Sequence, residues 1–221
     1  MAKKNICGYT LGEEIFSAVS HGVGSLIGIA ALVLMIVFAA TTNSSALDIV
    51  GVSIFGATLI LLYTISTLYH SLTPEKAKKV FKVLDHCSIY LLIAGTFTPI
   101  CFSCLASTGY KMIILISAIW AVAILGVVLY ACFPNRFKVL NVALYVIMGW
   151  SIVFMIKDLI AVLKVANSMS TLYFLLAGGI AYTVGVIFYA LKKVKYFHSI
   201  FHLFVLGGSI CHFFAVLLYF I

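Results

Sequence analysis

Long apolar stretches alternate with short polar ones along the whole chain. A helix needs about 20 mostly apolar residues to cross a bilayer. Seven such stretches follow one another, at about residues 15–40, 49–72, 84–105, 112–132, 139–156, 172–191 and 197–220. The first is far longer than the roughly 7–15 apolar residues at the core of a cleaved signal peptide, so it reads as a span. The connections are short, which makes successive helices antiparallel. The predicted fold class is an all-α integral membrane protein, a bundle of seven transmembrane helices.

Composition supports this reading. The 221 residues are 64% hydrophobic and only 9% charged, against about 25% charged in a soluble domain. Lipid removes the need for a water-compatible outer coat. With three prolines and no low-complexity stretch, residues 1–221 read as one domain without a linker. The net charge is +8. On a soluble protein that balance would suggest nucleic acid. Here the basic residues sit in short connections, where they set topology and meet lipid headgroups. Membrane lipids are therefore the expected partners, nucleic acid is not, and the sequence names no protein partner.

The basic residues also predict orientation. Eleven lie on the side of the N-terminus: Lys3, Lys4, Lys76, Lys78, Lys79, Lys82, Arg136, Lys138, Lys192, Lys193 and Lys195. Three lie opposite: Lys111, Lys157 and Lys164. The positive-inside rule then predicts a cytosolic N-terminus. Seven spans put the C-terminus outside, in a multi-pass protein of the cell (plasma) membrane.

Ionisable side chains inside membrane helices are expensive and mark functional sites. All six histidines fall within or at the edges of spans: His21, His70, His86, His198, His202 and His212. His198 and His202 are four residues apart, hence on one helix face. Ser66 and His70 repeat that spacing near the end of the second span, and Asp85 and His86 open the third. By the predicted topology His70, Asp85, His198 and His202 share one layer near the cytosolic surface. Three imidazoles suit Zn²⁺ and leave a fourth position for water. A nearby carboxylate, Asp85, can orient that water or take its proton. Imidazole also suits Fe, Ni and Cu.

The other polar residues read differently. Glu14, with His21 seven residues later, can reach the same layer; Glu13 suits a helix N-terminus. His86 points about 100° away from Asp85, towards a supporting or interfacial place. His212 lies about 15 Å beyond His202, too far to share its metal, and reads as a buried hydrogen-bonding residue. Cys101 and Cys104 form a lone C-x-x-C, a weak metal or redox signal; free cysteines in apolar runs behave as small hydrophobes. Gly178, Gly179, Gly207 and Gly208 fit close helix packing, and Pro99 a kink.

Several of these pieces together resemble the hemolysin III family of bacterial membrane proteins, which belongs with the progestin and adipoQ (adiponectin) receptors. They are Glu13-Glu14-Ile15 with Ser20-His21-Gly22, Ser66-x-x-x-His70, Asp85-His86 with Ala94-Gly95-Thr96-Phe97-Thr98-Pro99, and His198-x-x-x-His202 with His212. The resemblance runs from about Gly8 to the end. It implies a seven-helix bundle with its N-terminus in the cytosol. It further implies zinc held by His70, His198 and His202, Asp85 beside the water at the metal, and Ser66 close by. The wider group includes alkaline ceramidases, zinc amidases of membrane lipids. Ser17 departs from the asparagine expected in the first-helix motif.

Two functions follow as expectations. One is a zinc-dependent hydrolase of a lipid amide or ester, with Asp85 as base or water-orienting group. The other is a non-enzymatic protein, either a cytolysin or pore, or a regulator of membrane state with structural zinc.

Overall fold

The computed structural model describes residues 8–42, 44–134, 136–191 and 194–221; Lys3, Lys4, Cys7, Lys192 and Lys193 lie outside them. It is all-helical. Among the described residues, eight α-helices make up seven segments long and apolar enough to cross a membrane. They are α1 (Leu11–Thr41), α2 (Ala46–Ser71), α3 (Glu75–Pro99), α4 (Tyr110–Cys132), α5 (Lys138–Trp150), α6 (Ile156–Val165), α7 (Met169–Ala190) and α8 (Phe197–Leu217). A five-residue 3₁₀ turn, Ser151–Met155, joins α5 to α6, so these two form the fifth segment, Lys138–Val165.

Local chemistry sets the helix starts. Thr10 and Glu13 form a capping box at α1, and Ser45 and Asp48 form one at α2; each satisfies two N–H groups that the first turn leaves unpaired. α3 begins at Glu75, directly after Pro74, nine residues before the apolar stretch. Its first two turns are rich in Glu, Lys and Ala, which are good helix formers, so the helix outruns the hydropathy signal. At the other end Pro99 has no N–H to donate. The chain there widens into a π-helical turn, Ile100–Cys104, the expected response to a proline in a span. Cys101 and Cys104 lie on that turn, buried, with free thiols.

α3 is the central helix: 72% of its most apolar stretch is buried, against 17% for α4. α2 packs on α3 and α1, α8 on α1 and α7. Apolar side chains such as Leu26, Leu125 and Ile187 point outward and are exposed, as lipid-facing positions are. Gly24 is one close approach that matters for the site. A Cβ there would strike the ring of Tyr63, so the glycine lets α2 bring that ring under the α1 backbone.

Candidate metal centre

Three helix ends converge where α1 begins. His70 is on the last turn of α2, and His198 and His202 are on the first turns of α8. All three are buried, and each offers a ring nitrogen within 4.8 Å of the other two. His70 Nδ1 lies 2.5 Å from Glu14 Oε2. The carboxylate accepts, so Nδ1 carries the proton and Nε2 is the nitrogen left for the centre. That Nε2 is buried without a hydrogen-bond partner, as is Nδ1 of His202. His202 Nε2 and His198 Nε2 are 3.2 Å apart. Buried polar atoms without partners are costly, and between two ring nitrogens this close only one can carry a proton, which leaves the other an acceptor. A cation takes up such acceptor lone pairs, and imidazole is a preferred ligand of Zn²⁺, so this donor set fits Zn²⁺.

Glu14 does more than hold His70. Its other oxygen pairs with Lys78 Nζ at 2.9 Å, with both side chains buried. Lys78 also donates to the backbone oxygens of Tyr69 and Leu72, at 3.1 and 3.3 Å. Those carbonyls end α2 and have no partners within their own helix. One lysine therefore closes α2, pairs Glu14 and fixes His70, an outer-shell arrangement of the kind that orients metal ligands. By its place between two apolar stretches Lys78 counts among the connection lysines that set topology. The structure puts it inside, because α3 starts early enough to carry it on a helical face. The available signal was its spacing of seven from Asp85, which puts both on the same side of a helix.

Breaking a buried pair by removing one partner typically costs about 3–5 kcal/mol. Lys78→Met is thus expected to destabilise the protein on that scale, and Glu14→Gln in the same background to recover part of the loss. Denaturation of the two single variants and the double variant in mixed micelles measures the coupling; additive losses would mean that Lys78 and Glu14 act independently.

The remaining residues surround this core. His21 lies face to face with His202, with ring centroids 3.8 Å apart and planes 25° apart, and both its nitrogens are buried without hydrogen bonds. Tyr63 meets His21 edge-on at 4.9 Å. Tyr9, ahead of α1, stacks on His198 at 4.6 Å and closes the site on that side; nothing in its sequence context marked it. Ser17 bonds Ser199 of α8, with 3.2 Å between hydroxyl oxygens, so the serine at this position still links α1 to α8. Glu13 completes the capping box and accepts from the backbone N–H of Tyr196 at 2.9 Å. Tyr196 has φ +64°, a left-handed conformation uncommon outside glycine, and Glu13 holds it at the entry to α8. Ser66 is buried one turn before His70.

Asp85 and His86 stand to one side. The Asp85 carboxylate is 3.8 Å from His86 Nδ1, and both side chains keep 15% exposure. His86 Nδ1 also meets the Lys82 backbone oxygen at 2.9 Å, and its ring stacks on Tyr130. Neither Asp85 nor His21 belongs to the set of mutually close donor atoms among the described residues. Tyr189 connects the two regions: its hydroxyl is 3.4 Å from His86 Nε2, and its ring centroid is 6.3 Å from that of His198.

A cavity with about 150 Å³ of water-accessible space opens beside the centre. It runs between α3, α5, α7 and α8, and its lining is mostly apolar, including Ile93, Phe97, Leu176 and Val205. Tyr189 and Phe201 line its near end and touch the histidine layer, Phe201 with ring centroids 5.8 Å from His198 and 5.9 Å from His202. His212 lies in the same cavity, away from the triad.

Comparison with known proteins gives a consistent pattern. The family described as haemolysin-III related matches residues 9–213. A hemolysin-3 homolog of Bacillus subtilis is 45% identical over 212 residues, covering 96% of each chain. Hemolysin-3 of Bacillus cereus is 42% identical over 207 residues, 94% of this chain and 91% of the other. A heptahelical transmembrane protein of rice, ADIPOR2, is 29% identical over 157 residues, 64% of this chain and 69% of its own.

Proposed function

The chain belongs to the haemolysin-III-related family, and we propose that it is a zinc-dependent hydrolase of membrane lipid amides or esters. The observation that carries the reading is the triad of His70, His198 and His202, buried and mutually close. When bound there, zinc supplies Lewis-acid polarisation and lowers the pKa of water. The chain's own residues do the rest. Glu14, charged and held by Lys78, fixes the His70 ring and its tautomer. Asp85 serves as the general base, taking the proton of the attacking water. The apolar cavity receives an acyl chain and keeps water from it, with Tyr189 and Phe201 between chain and centre.

A second reading is a metal-holding protein without catalysis, a cytolysin or a regulator of membrane state. His21 favours it, because an unpaired imidazole stacked on His202 is a candidate fourth ligand, and four protein ligands close a zinc site. Incubating purified protein with ceramides and N-acyl lipids separates the readings. The hydrolase releases free fatty acid, stops with a chelator and resumes with added zinc; a closed centre releases none.

The protein is placed in the plasma membrane as one domain, with its N-terminus cytosolic and its C-terminus outside. The eleven-to-three distribution of basic residues supports that orientation, and it sets the candidate centre near the cytosolic surface. A reporter active only in the cytosol, fused to the C-terminus, is expected to stay silent. Strong activity would invert the topology and move the centre to the outer surface.

A further inference from the structure

Aromatic rings enclose the three imidazoles of the candidate centre. Tyr69 lies against His70, with centroids 4.5 Å apart, and His21 stacks on His202. Both of these rings are buried. Phe201 and Tyr189 approach from the cavity side. Tyr9 completes the enclosure at the end of the bundle where α1 begins. Its ring stacks on His198, with centroids 4.6 Å and planes 14° apart, and its centroid is 6.0 Å from that of His70.

Among the described residues, Tyr9 is the one ring of this set that no helix carries. The other four sit on α1, α2, α7 and α8, so moving any of them disturbs helix packing. Tyr9 precedes α1 and is partly exposed. Thr10, after it, is pinned: its hydroxyl and its backbone N–H both donate to the Glu13 carboxylate, at 2.7 and 2.8 Å. Gly8, before it, is not packed. It holds φ +88°, in the region that favours glycine, and a Cβ there would meet nothing within 4 Å. The Tyr9 ring can therefore swing about its own side-chain bonds while the start of α1 stays in place.

A metal bound by a buried triad needs a way in. The cavity is a poor route for a cation, because its lining is mostly apolar and an unpaired charge in apolar surroundings is costly. Tyr9, by contrast, touches an imidazole and is itself partly exposed, so at this point one side chain lies between His198 and the exterior. We propose that Tyr9 is the gate through which Zn²⁺ enters and leaves the centre, and that the swing of its ring sets the rate of exchange. The proposal rests on the reading of the triad as a zinc centre and does not depend on hydrolysis. Tyr9 stacks on the ring of a ligand, a contact it offers to the empty and the loaded centre alike. Removing the ring thus speeds uptake and loss together and leaves affinity unchanged.

The test is zinc exchange by purified protein in nanodiscs. Loss is followed after mixing zinc-loaded protein with excess EDTA, and uptake after adding zinc to stripped protein. Tyr9→Ala is expected to exchange roughly two- to tenfold faster in both directions, the scale of one aromatic stack, with zinc content and affinity unchanged. Tyr9→Phe keeps the ring and is expected to match the wild type. Tyr9→Leu covers the site without a flat ring and is expected to fall between the two. Wild-type rates in Tyr9→Ala and Tyr9→Leu would overturn the gate and leave the zinc centre standing. Faster loss without faster uptake would also overturn it, by making Tyr9 a residue that positions His198. Acceleration by Phe201→Leu and not by the Tyr9 variants would contradict it by moving the route to the cavity. A wild type that holds no zinc would remove the centre and the gate together.

Discussion

Replacing His70 by Ala is expected to strip the metal from the protein. The loss should exceed the roughly ten- to hundredfold weakening typical of removing an outer-shell partner, because two imidazoles remain where three converge. His198→Ala and His202→Ala should behave alike, since the three nitrogens form one set within 4.8 Å. His212→Ala should keep its full zinc, because the helix rise sets it about 15 Å from His202. Glu14→Gln should fall between, with the donor set intact but His70 less firmly oriented. Elemental analysis of the purified variants reads all five. Zinc retained by His70→Ala and lost from His212→Ala would move the site elsewhere in the bundle.

Asp85→Asn should separate chemistry from metal binding. Asparagine keeps the size and much of the hydrogen bonding but removes the basic carboxylate. Asp85 is outside the set of close donor atoms, so zinc content should match the wild type. Lipid hydrolysis should fall by about a hundredfold or more, the scale of a general base. Asp85 lies beside His86, whose ring meets Tyr189 and lines the cavity, and this suits a group that meets water rather than metal. Full zinc with unchanged turnover would take the base away from Asp85. Lost zinc would make it a ligand and close the site.

Much of this architecture was legible before any coordinates. Seven apolar stretches announce seven spans, because lipid demands length and apolarity and little else. The spacing of His198 and His202, with His70 at the end of the second span, sets three imidazoles at one depth, and the structure brings their nitrogens together. Hydropathy was blind to the first turns of α3, because they are helical but polar, and to the 3₁₀ break at Ser151–Met155, because it does not change apolarity. Lys78 was hidden for the same reason: counting charges by connection treats every lysine as solvated, and only a helical face shows which one turns inward. Tyr9 was hidden because no periodicity precedes α1. His21 was read as a neighbour of the site, and its ring does stack on His202, but a sequence gives no ring plane, so stacking and ligation look alike.

That distinction decides between an open catalytic centre and a closed structural one. Zinc-edge X-ray absorption of the wild type and of His21→Ala measures it, because scattering from imidazole rings reports how many are bound. Three histidines with a fourth position left to water predict the same spectrum for both proteins, and equal zinc content. Loss of imidazole scattering in His21→Ala would mean that His21 is the fourth ligand, which leaves no position for water and contradicts the hydrolase.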